Sequence, residues 1–211
     1  MSAYPVMLDV ARLRVLVVGG GVVAARKVAS LVDAGGAPVI VAPEVSEELR
    51  AAVDAHELTW FPRAYRSVDV EGFHLVFAAT NSAEVNAAVA DDARRAGSLV
   101  SRADEGGESD FQVPSHLRRE QVVVAISTGG AAPLLARRIG ERLDDVVTPG
   151  LGRAAGRLAE ARAEVQARWA GDEARRRAFW FSLITPEFLD LAIQGQDEEV
   201  ERAIARCLSQ S

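Results

Sequence analysis

Short apolar runs alternate with amphipathic stretches through the first half of the chain, and that alternation predicts strands and crossover helices in turn. Strands are expected at residues 14–18, 38–41, 58–61, 75–79, 99–101 and 111–113. Between them, residues 22–34, 47–55 and 83–96 place apolar side chains at helical spacing, and Gly97 follows the last where a helix C-cap commonly stands. This is the pattern of an α/β fold with a parallel sheet. A further strand, 121–126, leads into Ser127-Thr128-Gly129-Gly130 and a helix opened by Pro133 that runs to about Val146, so a second unit is expected to begin here. Thr148-Pro149-Gly150-Leu151-Gly152 is a candidate boundary. Beyond it the chain reads as helical over 153–170, 172–183, 186–193 and 197–209. Helical segments this short need one another or a partner chain to bury their apolar faces.

The first strand runs directly into Gly19-Gly20-Gly21 and then into a helix rich in small residues. Gly19, Gly21 and Ala24 have the G-x-G-x-x-G/A spacing of a dinucleotide-binding turn: a tight turn, a close backbone approach to pyrophosphate, and close packing of helix on strand. The N–H groups near Val22 and Val23 open the helix, where the dipole favours a phosphate. After the second strand, Pro43 and Glu44 follow. Glu44 stands 23 positions beyond Gly21, where a carboxylate accepts bonds from the ribose hydroxyls and repels a 2′-phosphate, which favours NAD over NADP. Its alternative is a loop charge ahead of the helix that Ser46-Glu47-Glu48 begins.

Composition narrows the choice of function. Of 211 residues, 49% are apolar, enough for one large domain or for a nucleotide-binding domain with a smaller partner. No run approaches about eighteen apolar residues and no charged-then-apolar leader precedes the first strand, so neither a membrane span nor a secretory signal is expected. The net charge of −6 argues against a nucleic-acid partner. Cys207 is the only cysteine, which fits a reducing, cytoplasmic setting. Lys27 is the only lysine; every other cation is arginine, the side chain that grips carboxylates in bidentate fashion. His56, His74 and His116 are far apart and never in a metal-ligand spacing, so no resident metal is expected. The polar, glycine-rich loop from Arg102 to Asp110 is of a kind that often carries function at strand ends.

Several motifs in order extend the picture: Val18-Gly19-Gly20-Gly21 with Val23-Ala24 and Arg26-Lys27; Ala78-Ala79-Thr80 with Asn86; Asp104; Phe111-x-Val113-Pro114-Ser115; Val124-Ala125-Ile126-Ser127-Thr128-Gly129-Gly130; Pro133; Ala136-Arg137; and Arg175-Arg176-Arg177 before Phe179-Trp180. With these the chain resembles, along nearly its whole length, the bifunctional precorrin-2 dehydrogenase/sirohydrochlorin ferrochelatase family of sirohaem synthesis, in the form without a fused methyltransferase domain. The resemblance implies a Rossmann-like parallel-sheet domain over 1–113, a small α+β dimerisation module over 114–147 and a helical C-terminal domain over 148–211, assembled as a homodimer. It implies NAD-dependent oxidation of precorrin-2 to sirohydrochlorin, and in dual-function members the insertion of Fe²⁺ into that product. Family members that only oxidise share the same pattern.

Toward that chemistry, Asp104 follows the strand 99–101 at the carboxyl edge of the sheet, where a carboxylate accepts a proton or orients pyrrole N–H groups; its alternative is a turn cap. Thr80 and Asn81 leave the strand 75–79 on the nicotinamide side, and Asn81 or Ser82 is a candidate cap for the helix that follows. Ser127 and Thr128 offer hydroxyls and turn amides to a carboxylate arm of the substrate, with Thr128 standing where many relatives have serine. Arg102, Arg137 and Arg138 are candidates for the eight carboxylates of precorrin-2, although 137 and 138 also read as helix-surface residues. A regulatory NAD-sensing module shares the glycine turn and the acid after the second strand, but has no need of Asp104, the 127–130 turn or the helical tail.

Overall fold

The computed structural model describes residues 3–104 and 108–210, and the chain divides into two compact units, 2–113 and 114–211. In the first, the strands β1 (Val15–Val18), β2 (Val39–Val41), β3 (Trp60–Phe61), β4 (Leu75–Ala78) and β5 (Leu99–Arg102) form a wholly parallel sheet in the order β3-β2-β1-β4-β5. β1 pairs with β2 on one side (Val17 opposite Ile40) and β4 on the other (Val17 opposite Phe77). All four residues of both β1 and β4 are buried, as expected of strands covered on both faces.

Alternation along these strands feeds two cores. Val15, Val17, Ile40, Leu75 and Phe77 pack with the helices α1 (Val22–Asp33) and α2 (Glu47–Ala55), through Ala24, Val28, Leu31, Leu49 and Val53. Leu16, Val18, Val41, Val76, Ala78 and Val100 face the other way, onto Val89, Ala90 and Ala93 of α3 (Ala83–Arg95). The direction of winding therefore reverses between β1 and β4. Such a reversal opens a crevice at the carboxyl ends of the strands.

The expected strand 111–113 is absent. Phe111 packs edge-on against Phe77, with ring centroids 5.2 Å apart, and Pro114 ends the segment with no N–H to donate. Its apolar character serves packing, while Asp110 and Ser109 make the contacts to β5: Asp110 Oδ2 accepts from Val100 N at 2.9 Å and Ser109 Oγ from Arg102 N at 2.9 Å.

In the second unit, β6 (Ser115–Arg119) and β7 (Val122–Ile126) form an antiparallel hairpin, with Glu120 at φ +51° in the turn. β6 was not expected, and His116 lies on it. Its sequence, Ser-His-Leu-Arg-Arg, is too polar to read as a strand. After α4 (Pro133–Leu143) comes α5 (Pro149–Arg168), and the expected boundary at 148–152 is the start of that helix. Thr148 caps it, accepting from Leu151 N at 3.3 Å and donating to Ile193 O at 2.8 Å. Gly150 and Gly152 are buried there because a Cβ on either would fall on backbone, 2.4 Å from Ala192 O and 2.7 Å from Arg119 O respectively. α5 then packs with α6 (Glu173–Leu183), α7 (Pro186–Ile193) and α8 (Asp197–Gln210) around Val165, Trp169, Phe179, Phe188 and Val200. Among the described residues no helix is long and apolar enough to cross a membrane.

Candidate functional site

The crevice at the β1/β4 reversal is a cavity of about 870 Å³ built wholly from the first unit. The glycine turn forms its floor, and each glycine has a different reason to be there. A Cβ on Gly19, whose φ is +131°, would fall 2.2 Å from Ala79 O. One on Gly20 would fall 1.8 Å from Glu44 O, since Ser46 N donates to Gly20 O at 2.7 Å and draws the 42–46 loop down onto the turn. Around Gly21 there is open space to 4 Å. Gly21 is the N-cap of α1 and offers no side chain to cap it, so the first N–H groups of the helix face the cavity without a protein acceptor of that kind. A phosphate fits such a place on both charge and hydrogen bonding.

Gly19, Gly21, Val22, Pro43, Glu44, Thr80 and Asn81 all line this cavity. Val23 is not on its wall and stands 45% exposed on α1. Sequence reasoning missed Gly20, Ser46, Ala64 and Tyr65. The third glycine in a row was the available signal for Gly20. Tyr65 comes from the loop after β3, held by its hydroxyl donating to Asp92 Oδ2 at 2.8 Å; burial and this bond push the phenol pKa up. Of the two candidate caps, Ser82 caps α3, accepting from Val85 N at 3.2 Å.

Beyond Thr80, the ends of β4 and β5 carry a connected set of polar groups. Asn86, wholly buried on α3, accepts from Thr80 N at 3.0 Å and from Thr80 Oγ1 at 2.8 Å, and donates to Thr80 O at 3.1 Å. Arg102, with only 7% of its side chain exposed, clasps Asp104 through two bonds: Nε to Oδ1 at 3.1 Å and Nη2 to Oδ2 at 2.8 Å. Its remaining Nη1 reaches Glu108. The Arg102 bonds, helped by the residue's own backbone N–H and by Asn86, hold the Asp104 carboxyl down to about 2. At neutral pH that group is a fixed negative charge with little tendency to take a proton. Residues 105–107 of the loop read from the sequence lie outside the described residues.

Ser127, Thr128, Arg137 and Arg138 belong to the second unit. Ser127 Oγ accepts from Gly129 N at 3.1 Å and Thr128 Oγ1 from Ala132 N at 3.2 Å, so both hydroxyls stabilise their own turn. Arg137 and Arg138 lie on the exposed face of α4, each paired with Glu141 at 3.3 and 2.7 Å. His74 is structural, its Nδ1 accepting from Arg14 N at 2.9 Å. Among the described residues no group of three or more His, Cys, Asp or Glu is arranged to hold a metal ion.

A family model described as putative NAD(P)-binding matches residues 6–115. The siroheme synthase of Chromobacterium violaceum is 38% identical over 203 residues, covering 96% of this chain and 43% of that protein. The siroheme synthase of Methylococcus capsulatus is 38% identical over 205 residues, covering 97% and 43%. The chain thus spans less than half the length of these curated relatives. A solved structure described as SirC, precorrin-2 dehydrogenase, superposes with a TM-score of 0.77 at 28% identity, over 97% of this chain and all of that one.

Proposed function

The chain belongs to the putative NAD(P)-binding family, and from that premise we propose that it is an NAD-dependent precorrin-2 dehydrogenase, oxidising precorrin-2 to sirohydrochlorin in sirohaem synthesis. The observation that carries the reading is the glycine turn, closed around Gly19 and Gly20 and open at Gly21, in a chain similar from end to end to SirC and to the siroheme synthases.

In this reading Gly21, Val22 and the opening amides of α1 hold the pyrophosphate. Glu44 and Pro43 flank the adenosine ribose, and the carboxylate selects NAD over NADP. Thr80 and Asn81 form the wall beside the nicotinamide. NAD⁺, when bound, supplies the hydride acceptor. Precorrin-2 gives up a hydride and a proton, so one NADH and one H⁺ appear for each sirohydrochlorin. Asp104 acts as a fixed charge: it receives pyrrole N–H bonds and stabilises the positive charge that develops as hydride departs. The depressed pKa supports this role over that of a general base, and solvent takes the proton. Arg102 serves by holding Asp104. Ser127, Thr128 and Arg137 bind carboxylate arms of the tetrapyrrole. Division of the second unit into a dimerisation module (114–147) and a helical domain (148–211), homodimer assembly and a cytoplasmic location all belong to the same proposal.

The test is anaerobic incubation of purified protein with enzymatically generated precorrin-2 and either NAD⁺ or NADP⁺, with absorbance followed for reduced nicotinamide and sirohydrochlorin. Equimolar appearance of both, faster with NAD⁺, is expected. NAD binding without oxidation would replace this reading with that of a nucleotide-sensing module. Fe²⁺ insertion is tested in the same preparation by adding sirohydrochlorin and Fe²⁺, where metallation no faster than in buffer restricts the protein to the first reaction.

A further inference from the structure

The chain has two tyrosines in opposite settings: Tyr4 is 87% exposed near the N-terminus, whereas Tyr65 lies against the core that α3 covers and lines the dinucleotide cavity. Tyr65 belongs to the irregular segment after β3, yet that segment is tied at several points. Arg63 clasps Asp69 through two bonds of 2.7 Å and donates to Ala64 O at 3.1 Å, while Asp69 Oδ2 accepts from Arg66 N at 2.8 Å. The chain is thus held on both sides of Tyr65. The side chain is held at its far end, where the hydroxyl donates to Asp92 Oδ2 at 2.8 Å.

Asp92 is buried on α3, and its other oxygen pairs with Arg95. Val85, Ala88 and Asp92 follow one another at intervals of three and four, so they share one face of that helix. Val85 and Ala88 line the cavity and Asp92 stands one turn beyond them, so the bond draws the phenol ring along the same face. A ring needed only to fill space under α3 has no use for a hydroxyl, and a phenylalanine would spare the helix a buried carboxylate. What the bond adds is a fixed ring plane on the cavity wall. Such a plane offers a π-face to a purine base. It also stands at the appropriate end: β3 lies outside β2, whose end carries Pro43 and Glu44, and the Thr80 wall is across β1 on the other side.

We propose that Asp92 is a positioning residue for the dinucleotide: by holding the Tyr65 hydroxyl it sets the Tyr65 ring as the surface on which the adenine base stacks. The proposal rests on the nucleotide-binding part of the functional reading and is independent of the substrate oxidised.

The experiment uses the whole chain labelled with fluorotyrosine, whose two ¹⁹F signals report Tyr65 and, as an internal reference, Tyr4. The Tyr65 signal is expected to shift on addition of NAD⁺ or AMP and to stay in place with nicotinamide mononucleotide. A Tyr65 signal unmoved at saturating NAD⁺ overturns the proposal and leaves nucleotide binding standing, and a shift as large with the mononucleotide as with AMP overturns the adenine assignment. Titration calorimetry then follows the variants. Tyr65→Ala is expected to weaken NAD⁺ and AMP binding alike, by about ten- to a hundredfold, the scale of one lost base-stacking contact. Asp92→Ala weakens both in the same direction, and Asp92→Asn, which keeps an acceptor for the hydroxyl, restores most of the affinity. Parental NAD⁺ affinity in Asp92→Ala overturns the positioning role, and this pair decides the matter even if Tyr65→Ala fails to fold. Failure of the parent to bind NAD⁺ overturns both this proposal and the functional reading. NAD⁺ binding with the Tyr65 shift but without oxidation of precorrin-2 removes the dehydrogenase reading alone.

Discussion

Two adjacent glycines in the cavity floor respond in opposite ways to the same added methyl group. In Gly20→Ala the new Cβ starts 1.8 Å from Glu44 O. Van der Waals contact requires about 3.5 Å, so the 42–46 loop has to retreat by roughly 1.7 Å. That retreat breaks the 2.7 Å bond from Ser46 N to Gly20 O. Overpacking of about 1–3 kcal/mol and a lost hydrogen bond of about 1 kcal/mol together predict a destabilisation of about 2–4 kcal/mol. At about 2–4 °C per kcal/mol for a chain of this size, Tm falls by roughly 5–15 °C. In Gly21→Ala the methyl group meets nothing within 4 Å, and the backbone at φ −84°, ψ −173° is open to any residue. Stability is unchanged or rises by up to about 1 kcal/mol through the stiffer unfolded chain. The open space, however, is where a pyrophosphate approaches. Loss of one charge-assisted bond, worth about 1.5–3 kcal/mol, weakens NAD binding about ten- to a hundredfold. Thermal unfolding and titration calorimetry with NAD⁺ on the two variants check both halves. A Gly21→Ala protein that binds NAD⁺ like the parent would refute the placement of the pyrophosphate, and a Gly20→Ala protein with an unchanged Tm would refute the steric argument.

Acid stability follows from the carboxylates held below their ordinary range: Asp104 by Arg102, and Asp69 by Arg63, whose two bonds to it are each 2.7 Å. Their folded-state pKa values lie below the unfolded ones, so their contribution is present above the ordinary carboxylate pKa of about 4 and is lost as pH falls below it, that of Asp104 as pH approaches about 2. Urea midpoints for the first unit should be level from pH 8 to 5 and decline below 4; a decline that begins above pH 6 contradicts the assignment. Thr148→Ala removes the cap of α5 and the bond to Ile193 O, which predicts a loss of about 1–2 kcal/mol in urea unfolding of the second unit. NAD⁺ affinity should be untouched, and a change in it would mean that the second unit shapes the cavity.

The first unit was legible because its strands are buried on both faces, so that residues 15–18 and 75–78 read as unbroken apolar runs with turn signals beside them. Gly19, Gly21, Val22, Pro43, Glu44, Thr80 and Asn81 of the cavity were legible for a related reason, since the ends of parallel strands and the helix starts beside them are fixed once the strands are known, whereas Ala64 and Tyr65 come from a loop that no such rule places. β6 was not, because Ser115, His116, Arg118 and Arg119 lack the alternation of a half-buried strand. The helix expected to begin at Arg153 begins instead at Pro149, because the residues that cap and start a helix are those that also make turns. Nor was the clasp of Arg102 on Asp104 visible: two residues of opposite charge near one another in sequence also describe an ordinary solvated loop.

The strand order has a consequence for synthesis of the chain. β1, the first strand to be made, ends up in the middle of the sheet, with β2 and β3 added outward on one side before β4 begins the other. A ribosome releasing the chain from its N-terminus therefore delivers half a sheet whose open flank is the β1 edge, lined by residues destined to be fully enclosed. That flank stays unpaired until Leu75–Ala78 emerges and closes it, and the residues that follow directly, Ala79 to Ser82, with Val85 and Ala88 of α3, supply the far wall of the cavity. Protection of that open edge and the last wall of the nucleotide cavity are thus made within a few residues of each other during biosynthesis.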